Sequence, residues 1–417
     1  TNNKKVLFTL YGVMAVLMVA SVAIGWMTHG ENFGTVFFFA KGDSLMDFFH
    51  PIDFCLDGNP YNNKDEGAIY PPLCYLIYML IARYLPAEAV SGGAFGLRST
   101  QAGIMAYIFF ITLCMIITFW VMNSILKKRK DKYLLLFFSL LSTPFVYLYE
   151  RGNILLLIPP LLCVFYLYYE SEIKWQREVA FICLCIAACI KIYPAALGLL
   201  LLIKGDYKGI IHCIIYGLLL FFVPFLFVGG LGQFPVMVQN LMEGSGSTLS
   251  VGQGPGYKIN VASTVTMYLG LRGNLVNEDL MIGKLVTNMV TWGALISVFF
   301  IKKNWKKWAL LCGIMIGFPG FSFLYTGVLM LVPLLAFVKE TNRSAIDYPY
   351  AVLFALIFGL LALGQMPFLA VIPGAYPTYP SAFFEGTAIL LMLVLLDLEG
   401  ITEAIKYFVG TRQTVSE

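Results

Sequence analysis

TNNKKVLFTLYGVMAVLMVASVAIGWM (residues 1–27) is the stretch that decides the fold class. After Lys5 it runs for about 22 residues without a charge, and a helix of that length crosses a bilayer core of about 30 Å. Similar runs recur along the whole chain of 417 residues, which is 59% hydrophobic and only 12% charged. Soluble proteins carry roughly 25% charged residues. The sequence therefore predicts an all-α polytopic membrane protein with about twelve transmembrane helices (11–13).

The composition excludes several other classes. The first apolar stretch is longer than a signal-peptide h-region and no A-x-A-like site follows it, so we expect an uncleaved span rather than a cleaved signal peptide. The formal net charge of +4 does not indicate nucleic acid as a partner, because the basic residues sort by membrane side. Most of the nine cysteines lie in apolar runs; only Cys55 and Cys74 lie near a polar segment, where their pairing is left open. No CxxC or His-bearing metal spacing is present.

Two long polar connections, residues 29–103 and 230–283, interrupt the apolar pattern. The segment PPLCYLIYMLIARYL (71–85) resembles a span, but as a helix it would cover only about 23 Å. If it does not cross, most of the 28 Lys and Arg residues lie on one side with the N-terminus, as the positive-inside rule requires. We therefore expect an interfacial or re-entrant helix there. Both long connections are then extracytoplasmic and both termini are cytoplasmic, in the plasma (inner) membrane.

GDSLMDFFHPIDFCLDGNPYNNKDEGAIYPPL (42–73) concentrates acidic residues directly after the first apolar segment. Asp43 and Asp47 are spaced one helical turn apart among apolar and aromatic neighbours, where partial desolvation makes a carboxylate more basic. Such a carboxylate suits a general base that accepts a hydroxyl proton. The alternative for Asp43 is a helix N-cap. The later acids lie among Gly, Asn and Pro, which favours turn formation, and His50 before Pro51 also fits a structural role.

Cations follow at the predicted extracytoplasmic helix ends. Arg151 and Lys191 are suited to binding a lipid phosphate. The alternatives are a pair between Arg151 and Glu150 and snorkelling of Lys191 to the headgroups. GSGSTLSVGQGPGYKIN (244–260) lacks the P-loop pattern and predicts either a mobile lid or a plain flexible loop, carrying Tyr257 and Lys258.

Five short elements occur in a fixed order: Asp47-Phe48, Gly-x-x-Tyr (58–61), Tyr-Pro-Pro-Leu (70–73), Arg-Gly-Asn (151–153) and Lys-Ile-Tyr-Pro (191–194). In this order they resemble the GT-C superfamily of membrane glycosyltransferases. The pattern looks closest to glycosyltransferase family 87, the polyprenyl-phosphate-mannose-dependent mannosyltransferases, and is similar in layout to the dolichyl-phosphate-glucose glucosyltransferases. The resemblance implies a single GT-C transmembrane domain (1–417), with a catalytic module in residues 1–205 and variable helices in 206–417.

The resemblance also implies the activity. A hexose, of mannose or glucose type, passes from a polyprenyl-phosphate donor to a glycolipid or cell-surface polysaccharide at the extracytoplasmic face. The transfer is a one-step inverting displacement of EC 2.4.1 type, with an aspartate as general base and neither a cofactor nor a metal expected. A lipid phosphate is a good leaving group, so cations need only stabilise its charge. Membrane lipids are the other expected partners, and the oligomeric state is left open.

The implied site residues fall into three groups. Asp47 and Asp43 are both kept as catalytic candidates, because Asp47 precedes an aromatic residue whereas Asp43 lies at the family's distance from the Gly-x-x-Tyr element. Asp47 is preferred as the base, and Asp43 then positions the acceptor. The expected donor-phosphate residues are Arg151, Lys191, Lys258 and Arg272. The expected substrate-binding residues are His50, Tyr70, Asn153, Tyr193 and Tyr257. The family's Gly-Gln-x-Asn element is Arg-Gly-Asn here.

Two other functions compete with this interpretation. A flippase for lipid-linked oligosaccharide or polysaccharide would also be polytopic, but acidic residues concentrate outside the spans here and no inverted repeat is visible. An O-antigen-type polymerase shares large outer loops but typically relies on arginines in a late loop, where this chain offers only Arg272.

Overall fold

The computed structural model describes residues 2–38, 41–62, 68–247, 256–271, 277–363 and 379–415. Within these ranges the chain is helical and forms no strand, apart from an isolated antiparallel bridge between Lys258 and Phe323. The all-α prediction is confirmed. The α-helices in chain order are α1 Asn2–Met27, α2 Glu31–Phe37, α3 Met46–Phe54, α4 Pro72–Ala82, α5 Ala87–Val90, α6 Gly93–Ser99, α7 Gln101–Ile125, α8 Arg129–Leu140, α9 Thr143–Arg151, α10 Ile158–Tyr168, α11 Lys174–Ile190, α12 Leu199–Ile203, α13 Tyr207–Phe222, α14 Phe234–Ser247, α15 Val261–Gly270, α16 Asn277–Phe300, α17 Asn304–Gly317, α18 Leu331–Lys339, α19 Tyr348–Ile357 and α20 Pro380–Val415.

Within the described residues, four helical segments are long and apolar enough to cross a membrane. They are α1, α7, α13 with its following turn (Tyr207–Leu226), and residues Glu278–Phe300 of α16. α8 and α9 add a fifth if this pair, bent by 51°, is counted as one span. Six shorter apolar helical segments of 10–17 residues accompany them. The chain therefore has the helices of a membrane protein, and the number of twelve spans stays a prediction.

The exposed surface of the long helices agrees with a lipid environment. α1 is apolar all round, yet Phe8, Val16 and Trp26 are largely exposed. α7 likewise exposes Phe109 and Trp120. A helix that is apolar on every side and is not covered by protein needs an apolar solvent around it.

The contacts divide the chain into two compact units. The first unit contains Thr1–Phe37, Lys128–Phe145 and Leu249–Glu417, and the second contains Phe38–Lys127 and Val146–Thr248. In the first unit α20 packs against α16, α17 and α19, and the indoles of Trp305 and Trp308 are fully buried. These units alternate along the sequence and do not follow the predicted boundary at residue 205, so the division into catalytic and variable halves stays a prediction.

The second unit carries the candidate site. α11 packs between α10 and α13, and α3 packs against α4 and α6. Phe48 anchors α3, because its ring is fully buried and contacts the rings of Tyr78, Tyr107 and Phe110 at 5.3–5.9 Å between centroids. Each buried aromatic ring of this kind removes a large apolar area from solvent, so α3 is fixed by packing.

The two polar connections contain more helix than the sequence indicated. The segment predicted as an interfacial helix is α4, eleven residues long with prolines at its start, and α5 and α6 follow it. α4 is too short to span a bilayer core of about 30 Å, whereas its position at the membrane surface stays a prediction. In the second connection α14 and α15 are helical, and the central residues 248–255 of the stretch predicted to be a lid or a plain loop (244–260) lie outside the described residues.

Candidate active site

Asp43 and Asp47 lie on different elements. Asp43 ends a 3₁₀ turn (Lys41–Asp43), and α3 begins at Met46, which places Asp47 in its first turn. Between them Leu45 occupies the N-cap position in the left-handed conformation (φ 65°, ψ 3°), and its side chain makes no cap hydrogen bond. The expected helical spacing of the two aspartates is therefore wrong, and Asp43 is not the N-cap of α3.

Arg151 nevertheless brings both carboxylates together. Its Nη1 donates to Asp43 Oδ2 at 2.7 Å, and its Nη2 donates to Asp47 Oδ1 at 2.6 Å. A third bond joins Nη1 to the Asp43 carbonyl at 3.1 Å. Only 11% of the Arg151 side chain is exposed, so its charge-assisted bond to Asp47 (20% exposed) is largely shielded from water, whereas its bond to Asp43 (48% exposed) is open to solvent on the carboxylate side. The alternative pairing of Arg151 with Glu150 is not observed, because both terminal nitrogens serve the two aspartates.

Asn153 fixes the other side of Asp47. Its Nδ2 donates to Asp47 Oδ2 at 2.8 Å and to the Tyr70 hydroxyl at 3.2 Å. Its Oδ1 accepts the Leu155 N–H at 3.0 Å and so caps the following turn, which sets the orientation of the amide. Both carboxylate oxygens of Asp47 are thus occupied.

The two carboxylates differ in what remains free. Asp43 is 48% exposed and its recorded side-chain bond uses Oδ2 alone, whereas Asp47 is 20% exposed and bonded through both oxygens. Asp43 can therefore accept a proton from a molecule in solvent contact. Asp47 is better placed to hold Arg151 and Asn153 in position.

Lys191 and Tyr70 form the neighbouring wall. The chain leaves α11 at Ile190 in an extended conformation, and Lys191 Nζ lies 5.0 Å from the centroid of the Tyr70 ring. Burial lowers the pKa of Lys191 to about 8, against the opposing effect of the Asp47 charge. Burial raises the pKa of Tyr70, so its phenol stays neutral and can donate a hydrogen bond. Tyr193 begins the 3₁₀ turn Tyr193–Gly198 that follows, and its buried hydroxyl has no hydrogen-bond partner among the described residues.

Supporting tyrosines hold the backbone of this wall. Tyr78 donates to the Asp47 carbonyl at 3.1 Å, and Tyr61 donates to the Tyr70 carbonyl at 2.9 Å. Sequence analysis missed both roles. Tyr61 was marked only as the last residue of the Gly-x-x-Tyr element, and Tyr78 carried no signal because it lies in an apolar helix.

Gly152 allows the close approach of this segment to α3. Its φ of +69° is left-handed, and a Cβ there would lie 3.0 Å from Phe48 Cβ and 3.4 Å from the Leu45 carbonyl oxygen. A side chain at this position would therefore push α3 away from Arg151. The Arg-Gly-Asn element combines a cation, a tight backbone approach and a cap in three consecutive residues.

The structure describes three of the four remaining predicted site residues, each with contacts of its own. His50 packs against the rings of Phe54 and Phe95, at 6.0 and 5.8 Å between centroids. Tyr257 and Lys258 belong to the first unit, where Tyr257 stacks on Tyr379 at 4.1 Å and burial lowers the pKa of Lys258 to about 8. Arg272 lies outside the described residues. The roles predicted for all the site residues stay predictions.

The donor set does not match a preformed metal site. Among the residues that the structure describes, no group of three or more His, Cys, Asp and Glu side chains is placed to hold a metal ion. The cluster contains the half-exposed carboxylate of Asp43, which the guanidinium of Arg151 holds. Beside it lie the partly buried ammonium of Lys191 and the neutral phenol of Tyr70. Such a set can accept a proton from a hydroxyl and stabilise an anionic leaving group.

The chain matches the model of a known protein family. The model of glycosyltransferase family 87 matches residues 68–274, about half of the chain, and the resemblance inferred from the motifs is confirmed. No curated protein matches the chain at a significant level. The matched residues include Arg151, Asn153 and Lys191, whereas Asp43 and Asp47 precede them.

Proposed function

The chain carries a glycosyltransferase family 87 domain over residues 68–274, and from this premise we propose that it transfers a hexose from a polyprenyl-phosphate donor to a hydroxyl acceptor. The acceptor is a glycolipid or a cell-surface polysaccharide, and the reaction takes place at the extracytoplasmic face of the membrane. The proposal includes a GT-C architecture of about twelve spans. The observation that supports it most is the pair of carboxylates bound to Arg151, of which Asp43 is half exposed.

In this proposal Asp43 is the general base. The acceptor oxygen attacks the anomeric carbon while the bond from that carbon to the phosphate oxygen breaks. The acceptor proton passes to the free oxygen of Asp43, and the polyprenyl phosphate leaves with the bonding electrons. Inversion follows from a single displacement. Arg151 keeps the Asp43 carboxylate oriented until the proton arrives, and Asp47 holds the Arg151 guanidinium in place.

Lys191 is the proposed donor-phosphate residue of the second unit. Arg151 was an equal candidate from sequence, but its Nη atoms already serve two carboxylates. The Lys191 ammonium lies beside the Tyr70 ring in a site with limited access to water, where charges interact strongly. It can therefore stabilise the negative charge that grows on the phosphate as the bond between the sugar and the phosphate breaks. The neutral hydroxyl of Tyr70 supplies a hydrogen-bond donor next to it.

The reaction is tested with purified protein in lipid nanodiscs. A short-chain polyprenyl-phosphate hexose and candidate acceptors are added, and products are followed by mass spectrometry. We expect a new glycosidic bond with release of one polyprenyl phosphate per transfer. Asp57→Asn serves as the matched control for Asp43→Asn, because Asp57 is an exposed acid of the same connection. Movement of labelled lipid between leaflets without a new bond would support a flippase instead, and chain extension by whole repeat units would support a polymerase.

The proposed orientation has its own test. A cysteine at exposed Ser99, in the first polar connection, should react with a membrane-impermeant maleimide added to intact cells. Seven of the nine native cysteines are buried, so background labelling is low. Labelling of this position only after permeabilisation would overturn the proposed topology.

A further inference from the structure

The turn that presents Asp43 contains a strained backbone. Leu45 has φ 65° and ψ 3°, a left-handed conformation that residues with a Cβ avoid. A residue with a Cβ persists in this region only where its surroundings impose the conformation. His29 is the other non-glycine residue with positive φ among the described parts of the chain. The turn at residues 42–45 therefore needs an external restraint.

Arg98 restrains one side of this turn. Its Nη1 donates to the Gly42 carbonyl at 2.7 Å and to the Ser44 carbonyl at 3.0 Å. These two carbonyls flank Asp43, so one nitrogen holds the backbone on both sides of the carboxylate. The guanidinium in turn lies over the ring of Phe95, 5.4 Å from its centroid, which limits its own movement.

Glu150 restrains the other side. Its carbonyl accepts the Leu45 N–H at 2.8 Å, and its Oε1 accepts the Ser44 hydroxyl at 2.6 Å. Glu150 is only 7% exposed and directly precedes Arg151. The segment that supplies the guanidinium for Asp43 thus also fixes the turn on which Asp43 lies.

We propose that Arg98 and Glu150 are positioning residues. They act through the strained turn at Leu45 to keep the Asp43 carboxylate next to the hydroxyl of the sugar acceptor. This inference rests on the proposed transfer reaction. Arg98 binds backbone carbonyls, so in this inference it acts through the turn and not on the donor or the acceptor. Its removal lets Leu45 relax toward the ordinary right-handed or extended regions, and Asp43 then swings away from the acceptor hydroxyl. Because misplacement by about 1 Å can cost roughly 100-fold in rate, the effect should be large in kcat.

The kinetic test compares Arg98→Ala with Arg98→Lys and with Arg83→Ala, an exposed arginine of the same connection. We expect Arg98→Ala to lower kcat by about 10- to 100-fold with KM for donor and acceptor changed less than about threefold. Arg98→Lys keeps a charged donor and should retain more activity, and Arg83→Ala should behave as wild type. A rise in KM with unchanged kcat would overturn the inference, because it would make Arg98 a substrate-binding residue.

Leu45→Gly supplies a second-site test. Glycine adopts positive φ without strain, so the turn no longer depends on Arg98 for its conformation. In the Arg98→Ala background Leu45→Gly should recover at least about tenfold in kcat. No recovery by this substitution would contradict a role through the turn.

Hydrogen exchange tests the restraint without any substrate. In Arg98→Ala, peptides covering residues 42–48 should exchange faster than in wild type, because the turn that holds the Leu45 N–H against the Glu150 carbonyl loses one of its restraints. Peptides from α11 should be unchanged. Unchanged exchange over 42–48 would overturn the inference. If wild type shows no transfer but this exchange difference appears, the proposed function fails while the restraint of the turn stands.

Discussion

Replacing Arg151 with methionine removes the guanidinium that joins Asp43 and Asp47 while keeping a side chain of similar length. The two carboxylates then face each other without a counter-charge. We expect the second unit to be destabilised and transfer to be largely lost, because the carboxylates repel each other and Asp43 loses its orientation.

The size of the stability loss follows from the solvent exposure of the two ion pairs of Arg151. The bond to Asp47 joins side chains that are 11% and 20% exposed, so it counts as a hydrogen bond between charged groups worth about 1.5–3 kcal/mol. The bond to Asp43 involves a side chain that is 48% exposed, so it contributes no more than a surface pair, about 0–1 kcal/mol. The loss should total about 1.5–4 kcal/mol. For a cooperative unit of 150–250 residues this corresponds to a fall in Tm of roughly 3–16 °C.

The assay is thermal unfolding in detergent with a thiol-reactive fluorophore, which reports exposure of the buried cysteines. Arg151→Lys is the matched control, because one ammonium can serve one carboxylate and should give an intermediate Tm. Adding Asp47→Asn to Arg151→Met removes the excess negative charge and should recover part of the lost stability. A Tm within about 1 °C of wild type for Arg151→Met, with additive effects in the double variant, would refute the reasoning.

Three further outcomes follow from the same structure. Gly152→Ala should lower Tm and abolish transfer, because the φ of +69° and the 3.0 Å approach to the Phe48 Cβ leave no room for a methyl group. The control is Gly198→Ala, where a Cβ would meet nothing within 4 Å; this variant should be neutral or slightly stabilising in the same unfolding assay. Because burial lowers the pKa of Lys191 to about 8, kcat/KM for the donor should fall as the pH rises through about 8. Lys191→Arg, which stays charged, should keep its activity near pH 9. A wild-type profile of kcat/KM that is flat to pH 9 would exclude a charged role for Lys191. Glu385 is fully buried, and its carboxylate oxygens have no hydrogen-bond partner among the described residues. Glu385→Met should therefore raise Tm by an amount corresponding to about 1–3 kcal/mol of stability. A lower Tm would show that the carboxyl group has a hydrogen-bond partner in the folded protein.

The helical class and the general location of the site follow from sequence for simple reasons. Uncharged apolar runs of about 20 residues rarely form any structure other than a membrane-spanning helix. The ordered motifs also placed Tyr70, Asn153 and Lys191 near Asp47, since short elements at consecutive helix ends on one membrane side are close in space. The contacts among these residues agree with that expectation.

The arrangement of the charges did not follow from sequence. Arg151 bonds to residues 104 and 108 positions away, whereas local pattern favoured its neighbour Glu150. The left-handed turn at Leu45 has no sequence signal, because glycine and asparagine are the residues that mark such turns. It is imposed by Arg98 and Glu150 from two other segments. Burial of Lys191 was equally hidden, since a lysine at a helix end also fits snorkelling.

The most direct test of the account compares Asp43→Asn with Asp47→Asn in the transfer assay with a polyprenyl-phosphate hexose. Loss of a general base typically costs about 10²- to 10⁴-fold. We predict that Asp43→Asn lowers kcat within this range with little change in the donor KM, and that Asp47→Asn has a smaller effect on kcat together with a lower Tm. Full transfer by Asp43→Asn, with loss of transfer in Asp47→Asn alone, would contradict the assignment of Asp43 as the base.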